Sequence, residues 1–121
     1  MNDCPESKDI IHVYVNHIAK DKFAICIDDK HYFIINTKAW KEGAQVLIEQ
    51  KDYSFLSYDS HIDTSQLHNL QYSIENNEWT LVGQFTPALC LKIKFAAQAS
   101  KTLTERQIEL VSSVMDNLQH H

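Results

Sequence analysis

The chain is poor in the residues that allow unusual backbone conformations. Among 121 residues there are only two glycines, Gly43 and Gly83, and two prolines, Pro5 and Pro87. A phosphate-binding loop needs several glycines close together, because backbone N–H groups must approach the anion without interference from side chains. The two glycines are far apart in the sequence, so Rossmann-type and Walker-type nucleotide sites are excluded.

Cysteine and long apolar runs are also scarce. Cys4, Cys26 and Cys90 are an odd number of thiols at wide spacing, which favours reduced cysteines of a cytoplasmic protein over a disulfide framework. The first residues are polar and acidic, unlike a secretory signal. No apolar run approaches the roughly 18 residues of a membrane helix. We therefore expect a cytoplasmic protein that does not interact with a membrane.

Length and charge narrow the class of protein further. With 121 residues, of which 44% are hydrophobic, the chain can bury one core, so we predict a single domain over residues 1–121 with a flexible segment at 1–8. The net charge of −5 argues against nucleic-acid binding, which depends on a basic surface. An acidic surface instead favours a basic protein partner.

Hydrophobic and polar residues alternate over much of residues 9–96, as they do in half-buried strands. Ile11, Val13 and Val15 are one such set. We predict further strands at 23–27, 32–36, 46–48, 53–58, 70–74, 79–85 and 89–95, and a short turn around Trp40 and Gly43. The predicted fold is α+β and mainly β: an antiparallel meander of about seven to eight strands that forms a curled sheet or a small barrel.

The run after Pro87 has the clearest strand pattern. Its apolar residues are expected on the core face of the sheet: Leu89, Leu91, Ile93 and Phe95. The opposite face would carry Cys90, Lys92 and Lys94, and it would be open to solvent or to a partner.

The carboxy-terminal segment has helical spacing instead. Thr102 and Glu105 have the spacing of a capping box, and together they predict an amphipathic helix within residues 102–119. Its apolar stripe consists of Ile108, Val111, Met115 and Leu118. The stripe is wide enough to cover a sheet face or to meet the helix of a second copy, so we predict a homodimer through this helix.

Residues 59–69 show no period and are predicted to form the longest polar connection. Carboxylates and imidazoles at alternate positions of an extended segment can bind one divalent ion. The candidate ligands are Asp59, His61, Asp63 and His68. The alternative is a hydrophilic loop that faces water. Because no recognised ligand spacing is present, we predict neither a metal nor another cofactor.

No nucleophile and base occur in a recognised catalytic motif, so we predict a protein that is not an enzyme and assign no catalytic residue. The favoured function is an acidic protein-binding module of the inhibitor, immunity-protein or chaperone type. The candidate partner-binding residues are Tyr58, His61, Asp63, Lys92 and Lys94.

Two other functions stay open. In the first, an oligonucleotide-binding-like barrel uses Lys92 and Lys94 to bind single-stranded nucleic acid, with tyrosines stacking on the bases. In the second, a barrel encloses a small apolar ligand that Ala24 and Cys26 help to line.

Overall fold

The computed structural model describes residues 4–38 and 45–119, so the predicted turn around Trp40 and Gly43 lies outside the described residues. In chain order the elements are β1 (Asp9–Val15), β2 (Lys20–Cys26), β3 (Tyr32–Asn36), β4 (Gln45–Ile48), β5 (Ser60–His68), α1 (Gln71–Glu75), β6 (Trp79–Gln84), α2 (Pro87–Gln98) and α3 (Glu105–Gln119). Over these ranges, no helix has the length and hydropathy needed to cross a membrane.

The strands form one antiparallel sheet in the order β4-β5-β3-β2-β1-β6. Tight turns explain the consecutive hairpins: Ala19 adopts a left-handed φ of 58° in the β1–β2 turn. In the β2–β3 turn, Oδ1 of Asp28 accepts hydrogen bonds from the N–H groups of Lys30 and His31, each 2.9 Å long. Antiparallel, mainly β architecture is confirmed. The prediction of seven to eight strands and of a barrel is wrong, since the described residues form six strands in a sheet that does not close.

Apolar side chains cover both faces of the sheet. The first face carries Ile10, Ile25, Phe33 and Ile62, and helices α2 and α3 pack on it. The second face carries a smaller set that packs against α1 and the residue before it: Ile11, Val13, Val15, Ala24, Cys26, Tyr32, Ile34, Leu70 and Ile74. Strands β1 to β3 are therefore buried on two sides, which makes them the centre of the fold.

The segment with the clearest strand pattern is helix α2, so the prediction of a strand at 89–95 is wrong. Thr86 caps this helix, with its Oγ1 accepting a hydrogen bond of 3.2 Å from the N–H of Leu89. Pro87 occupies the first turn, where a missing N–H costs nothing. The buried positions of α2 have helical spacing: Leu89, Cys90, Ile93 and Ala97.

The polar segment at 59–69 is largely strand β5, inserted between β3 and β4, so the prediction of a loop there is also wrong. Its alternation was hidden because two of the three buried positions are polar: Ser60 and Thr64 accompany Ile62 on the side that faces the core. β5 pairs with β4, the strand before it in the sequence, and also with the more distant β3.

Two predicted strands beside β5 are not strands. Residues 70–74 lie at the start of α1 and within it, where Leu70 and Ile74 bury their side chains. Residues 53–58 belong to the β4–β5 connection (residues 49–59). In that connection Phe55 packs on Phe23 with a ring-centroid distance of 4.8 Å, and it lies against Gly83, where an added Cβ would be 3.4 Å from the ring. Large apolar and aromatic residues at alternate positions produced the strand pattern in both segments.

The carboxy-terminal helix is confirmed as α3, although its cap differs from the predicted one. Thr104 and Gln107 form the reciprocal hydrogen bonds: the N–H of Gln107 donates to Thr104 Oγ1 at 3.1 Å, and the N–H of Thr104 donates to Gln107 Oε1 at 3.0 Å. The hydroxyl of Thr102 instead donates to the carbonyl of Ser65. The helix thus begins two residues later than the Thr102 pattern indicates. The Thr102 side chain instead links the segment before α3 to β5.

Thiol labelling should distinguish Cys4 from the other two cysteines. Burial raises the pKa of Cys26 to about 12 and also raises the pKa of Cys90, whereas Cys4 is exposed. Because the thiolate is the reacting form, we expect one thiol per folded chain to react with an aromatic disulfide reagent near neutral pH, and all three in denaturant. Equal labelling rates for the three thiols of the folded protein would contradict the burial of Cys26 and Cys90.

Candidate functional site

Helix α2 exposes two large apolar side chains on the surface of the protein. Leu91 is 42% exposed and Phe95 is 57% exposed, one helical turn apart. They lie on the side opposite to the buried Leu89, Ile93 and Ala97. We call the exposed residues Ala88, Leu91, Lys92 and Phe95 the α2 outer face.

A groove of about 390 Å³ adjoins the amino-terminal half of this face. It lies between α2 and the end of β4, and we call it the β4–α2 groove. Its apolar lining includes Leu47, Tyr53 and Ala88, and its charged residues are Glu49, Asp52 and Lys92. Lys92 and Ala88 belong to both the α2 outer face and the groove, so the two features form one continuous surface.

The β4–β5 connection gives the groove an acidic rim. Residues 49–59 contain Glu49, Asp52 and Asp59 against a single basic residue, Lys51, for a net charge of −2. The Lys51 ammonium lies 3.2 Å from the Glu49 carboxylate, which raises the pKa of Lys51 by a hydrogen bond and by its charge. Because these side chains are exposed, their effect is on partner selection and association rate more than on stability.

The predicted partner-binding residues do not form one surface. Lys92 lies in the β4–α2 groove and Tyr58 is 69% exposed in the β4–β5 connection. Lys94 is engaged within the chain, since its Nζ lies 2.7 Å from Oδ1 of Asp116 on α3. His61 and Asp63 lie on the second face of the sheet, because they pair with Asn36 and Ile34 at positions that alternate with the buried Ile62.

The four candidate metal ligands lie on β5 or next to it but do not gather into one site. Asp59 accepts a hydrogen bond of 2.9 Å from the N–H of Gln50, and Asp63 Oδ1 accepts bonds from Ser65 and from Gln45 Nε2, the latter 3.3 Å long. One oxygen of each carboxylate, Oδ1, is thus engaged in hydrogen bonds within the fold. Within residues 4–38 and 45–119, no three side chains of histidine, cysteine, aspartate or glutamate gather as a metal-binding group.

His68 contacts His17 in the β1–β2 turn, and the sequence does not predict this contact. Nε2 of His17 and Nδ1 of His68 are 3.0 Å apart, and the ring planes differ by only 10°. Burial lowers the pKa of His68, and so does a positive charge on His17, while the Asp63 carboxylate opposes this effect. No local pattern predicts this histidine pair, because the two residues are 51 positions apart.

The predicted dimer stripe of α3 faces the core of its own chain. Val111 and Met115 are fully buried, and Ile108 and Leu118 pack partly buried against the same cluster. Contacts with α2 account for much of this burial. A dimer through this stripe would therefore require α3 to leave the rest of the protein.

A scan against protein-family models and a search of curated proteins find no match to this chain. Its function is therefore argued from the arrangement of its side chains.

Proposed function

We propose that this protein is a protein-binding module that engages an apolar and basic segment of its partner through the α2 outer face and the β4–α2 groove. The observation that carries the proposal is the pair of exposed side chains on α2, Leu91 and Phe95. An inhibitor, an immunity protein and a chaperone are the kinds of protein that this mode of binding suits.

Removal of apolar surface from water supplies the affinity. Leu91 and Phe95 are separated by four residues, so their side chains are neighbours on one stripe of the helix. Covering apolar surface stabilises a complex by roughly 25 cal/mol per Å², which makes a leucine and a phenylalanine together worth about 2–4 kcal/mol. Aromatic residues at the centre of a patch are frequent binding hot spots.

Charge supplies the preference for a basic partner. The chain carries a net charge of −5, and the carboxylates of Glu49 and Asp52 line the β4–α2 groove next to the apolar stripe. Lysine or arginine side chains of a partner can reach these carboxylates while apolar side chains cover Phe95. Complementary charge also raises the association rate, and the gain falls with ionic strength.

The two alternatives find less support in the described residues. For a single-stranded nucleic acid, the pairing of Lys94 with Asp116 neutralises half of the lysine pair that would contact phosphates. For a small apolar ligand, Ala24 and Cys26 are fully buried in the cluster that packs against α1, so they do not face a cavity mouth.

A phage-displayed library of random peptides tests the proposal. We expect selection against the wild-type protein to enrich peptides that combine apolar or aromatic residues with lysine or arginine. The double variant Leu91→Asp, Phe95→Asp should bind these peptides at least about tenfold more weakly, since two hot-spot contacts become desolvated carboxylates. Fluorescence anisotropy of a labelled peptide measures the loss.

Two control variants test whether a loss of peptide binding is specific to this surface. Tyr72→Asp replaces an exposed aromatic residue on α1, in the other layer of the fold, and should leave the peptide affinity unchanged. Glu49→Gln with Asp52→Asn should weaken binding of the basic peptides and reduce its salt dependence. The proposal fails if no peptide is enriched, or if the enriched peptides bind the Leu91→Asp, Phe95→Asp variant as well as the wild type.

A further inference from the structure

The histidine pair joins two parts of the chain that no backbone ladder connects directly. His17 lies in the turn between β1 and β2, and His68 is the last residue of β5. In the order of the sheet, β3 separates β2 from β5. The ring centroids are 5.2 Å apart with nearly parallel planes, although the two facing nitrogens are only 3.0 Å apart. Since the centroid distance is close to the nitrogen distance plus two ring radii, the rings lie edge to edge rather than one above the other.

We propose that His17 and His68 form a two-imidazole site for a late first-row divalent cation, of which Ni²⁺ and Cu²⁺ fit best, and that the bound ion clips the β1–β2 turn to the end of β5. The site is independent of the surface proposed for protein binding. It also differs from the ligand set that the sequence suggests, because His17 replaces Asp59, His61 and Asp63.

The distance between the nitrogens favours particular ions. With metal–nitrogen bonds of about 2.0–2.1 Å, two nitrogens 3.0 Å apart subtend an angle of about 95° at the ion. This is close to the angle between neighbouring ligands in square-planar and octahedral geometry, and it is smaller than the tetrahedral angle that structural zinc sites adopt. In the hydrogen-bonded pair the two facing nitrogens point at each other, so each ring must rotate by about 40° to direct its lone pair at the ion. The exposed position of His17 in a turn leaves space for this rotation.

Binding also requires a rearrangement of one proton. In the hydrogen-bonded pair, one of the facing nitrogens carries the hydrogen and the other accepts it. When the ion binds, the donor ring takes its other neutral tautomer, so the hydrogen moves through water to its remote nitrogen. Both facing lone pairs then coordinate the ion, and no net proton leaves a neutral pair.

The surroundings favour a cation and leave room for water. His17 is exposed, so solvent molecules can complete the coordination of the ion. The charge of Asp63 acts on His68, although hydrogen bonds to Ser65 and Gln45 hold this carboxylate and it is not counted as a ligand. Its negative field partly offsets the cost of bringing a divalent ion to the half-buried His68.

Titration with Ni²⁺ tests the site, and Ni²⁺ is chosen over Cu²⁺ because the exposed thiol of Cys4 could reduce Cu²⁺. We expect saturable binding of one Ni²⁺ by isothermal titration calorimetry on the full chain. Ni²⁺ at one hundred times its dissociation constant should raise the ratio of folded to unfolded protein about 100-fold in denaturant unfolding. His17→Ala should lower the affinity by more than about tenfold, because even loss of a residue that only supports a ligand costs 10–100-fold.

The controls use the other histidines. All measurements are repeated with His120→Asn and His121→Asn, so that binding at these residues is not counted. His61→Ala is the matched variant on β5 and should retain Ni²⁺ affinity, whereas His68→Ala should lose it. If His68→Ala does not fold, the His17→Ala variant tests the proposal alone, because His17 is exposed and its replacement should not unfold the protein. Equal Ni²⁺ affinity of the wild type and His17→Ala, or the same stabilisation by Mg²⁺, would overturn the proposal.

Discussion

Met115→Lys is expected to unfold the protein. The Met115 side chain has 0% exposure and lies in the cluster that joins α2, α3 and the first face of the sheet. A lysine there would either bury an unpaired ammonium or displace α3, and burying an unpaired charge costs several kcal/mol. Because domains of this size are stable by only about 5–15 kcal/mol, most of that stability would be lost. Circular dichroism and chemical denaturation measure the effect.

Asn117→Lys is the matched control for this substitution. It adds the same charge two positions later on the same helix, at an exposed site, and should change the free energy of unfolding by less than about 0.5 kcal/mol. Sedimentation adds a second readout. If the wild type is a dimer and the Met115→Lys protein is a folded monomer, the α3 stripe is an interface between copies and the expectation given above is wrong.

The stripe on α3 illustrates what a periodic pattern predicts. Residues Ile108, Val111, Met115 and Leu118 correctly indicate a helix with one buried face. The pattern does not identify what covers that face, because a second copy and the helix α2 of the same chain require the same apolar spacing. The helix was therefore predictable from the sequence, whereas its intramolecular packing was not.

The centre of the sheet was predictable for a related reason. Large apolar residues recur along β1, β2 and β3, and the short turns that join these strands contain asparagine or aspartate. Their pairing is between neighbours in the sequence, so local patterns are sufficient. β5 lacks these advantages, since it pairs with a strand that precedes it by more than twenty residues and buries Ser60 and Thr64.

The candidate sites depend on contacts that the sequence does not reveal. The apolar residues of the α2 outer face were predicted to be core, because a strand would place Leu91 and Phe95 on the same side as Ile93. The histidine pair joins residues on separate elements. In both cases the site follows from tertiary structure. Of the residues that form the α2 outer face and the histidine pair, the sequence alone indicated only Lys92 and His68 as functional candidates.

The segment 87–98 shows how two periods can fit one stretch of sequence. Leu89, Leu91, Ile93 and Phe95 satisfy strand alternation, while Leu89, Cys90, Ile93 and Ala97 satisfy a helical face. The decisive local signal is the amino-terminal one, in which Thr86 caps the helix and Pro87 follows in its first turn. Two substitutions separate the alternatives.

Ile93→Asp should unfold the protein, whereas Leu91→Asp should leave it folded. Ile93 is fully buried, so a carboxylate there creates a buried unpaired charge and removes apolar packing, with an expected cost of about 4 kcal/mol or more. Leu91 is exposed on α2, so its replacement should cost less than about 1 kcal/mol. In a strand the two residues would share the core face, and both substitutions would be equally damaging. Urea denaturation of the pair therefore tests the helix, and a folded Leu91→Asp protein also establishes that any loss of peptide binding in this variant comes from the α2 outer face and not from unfolding.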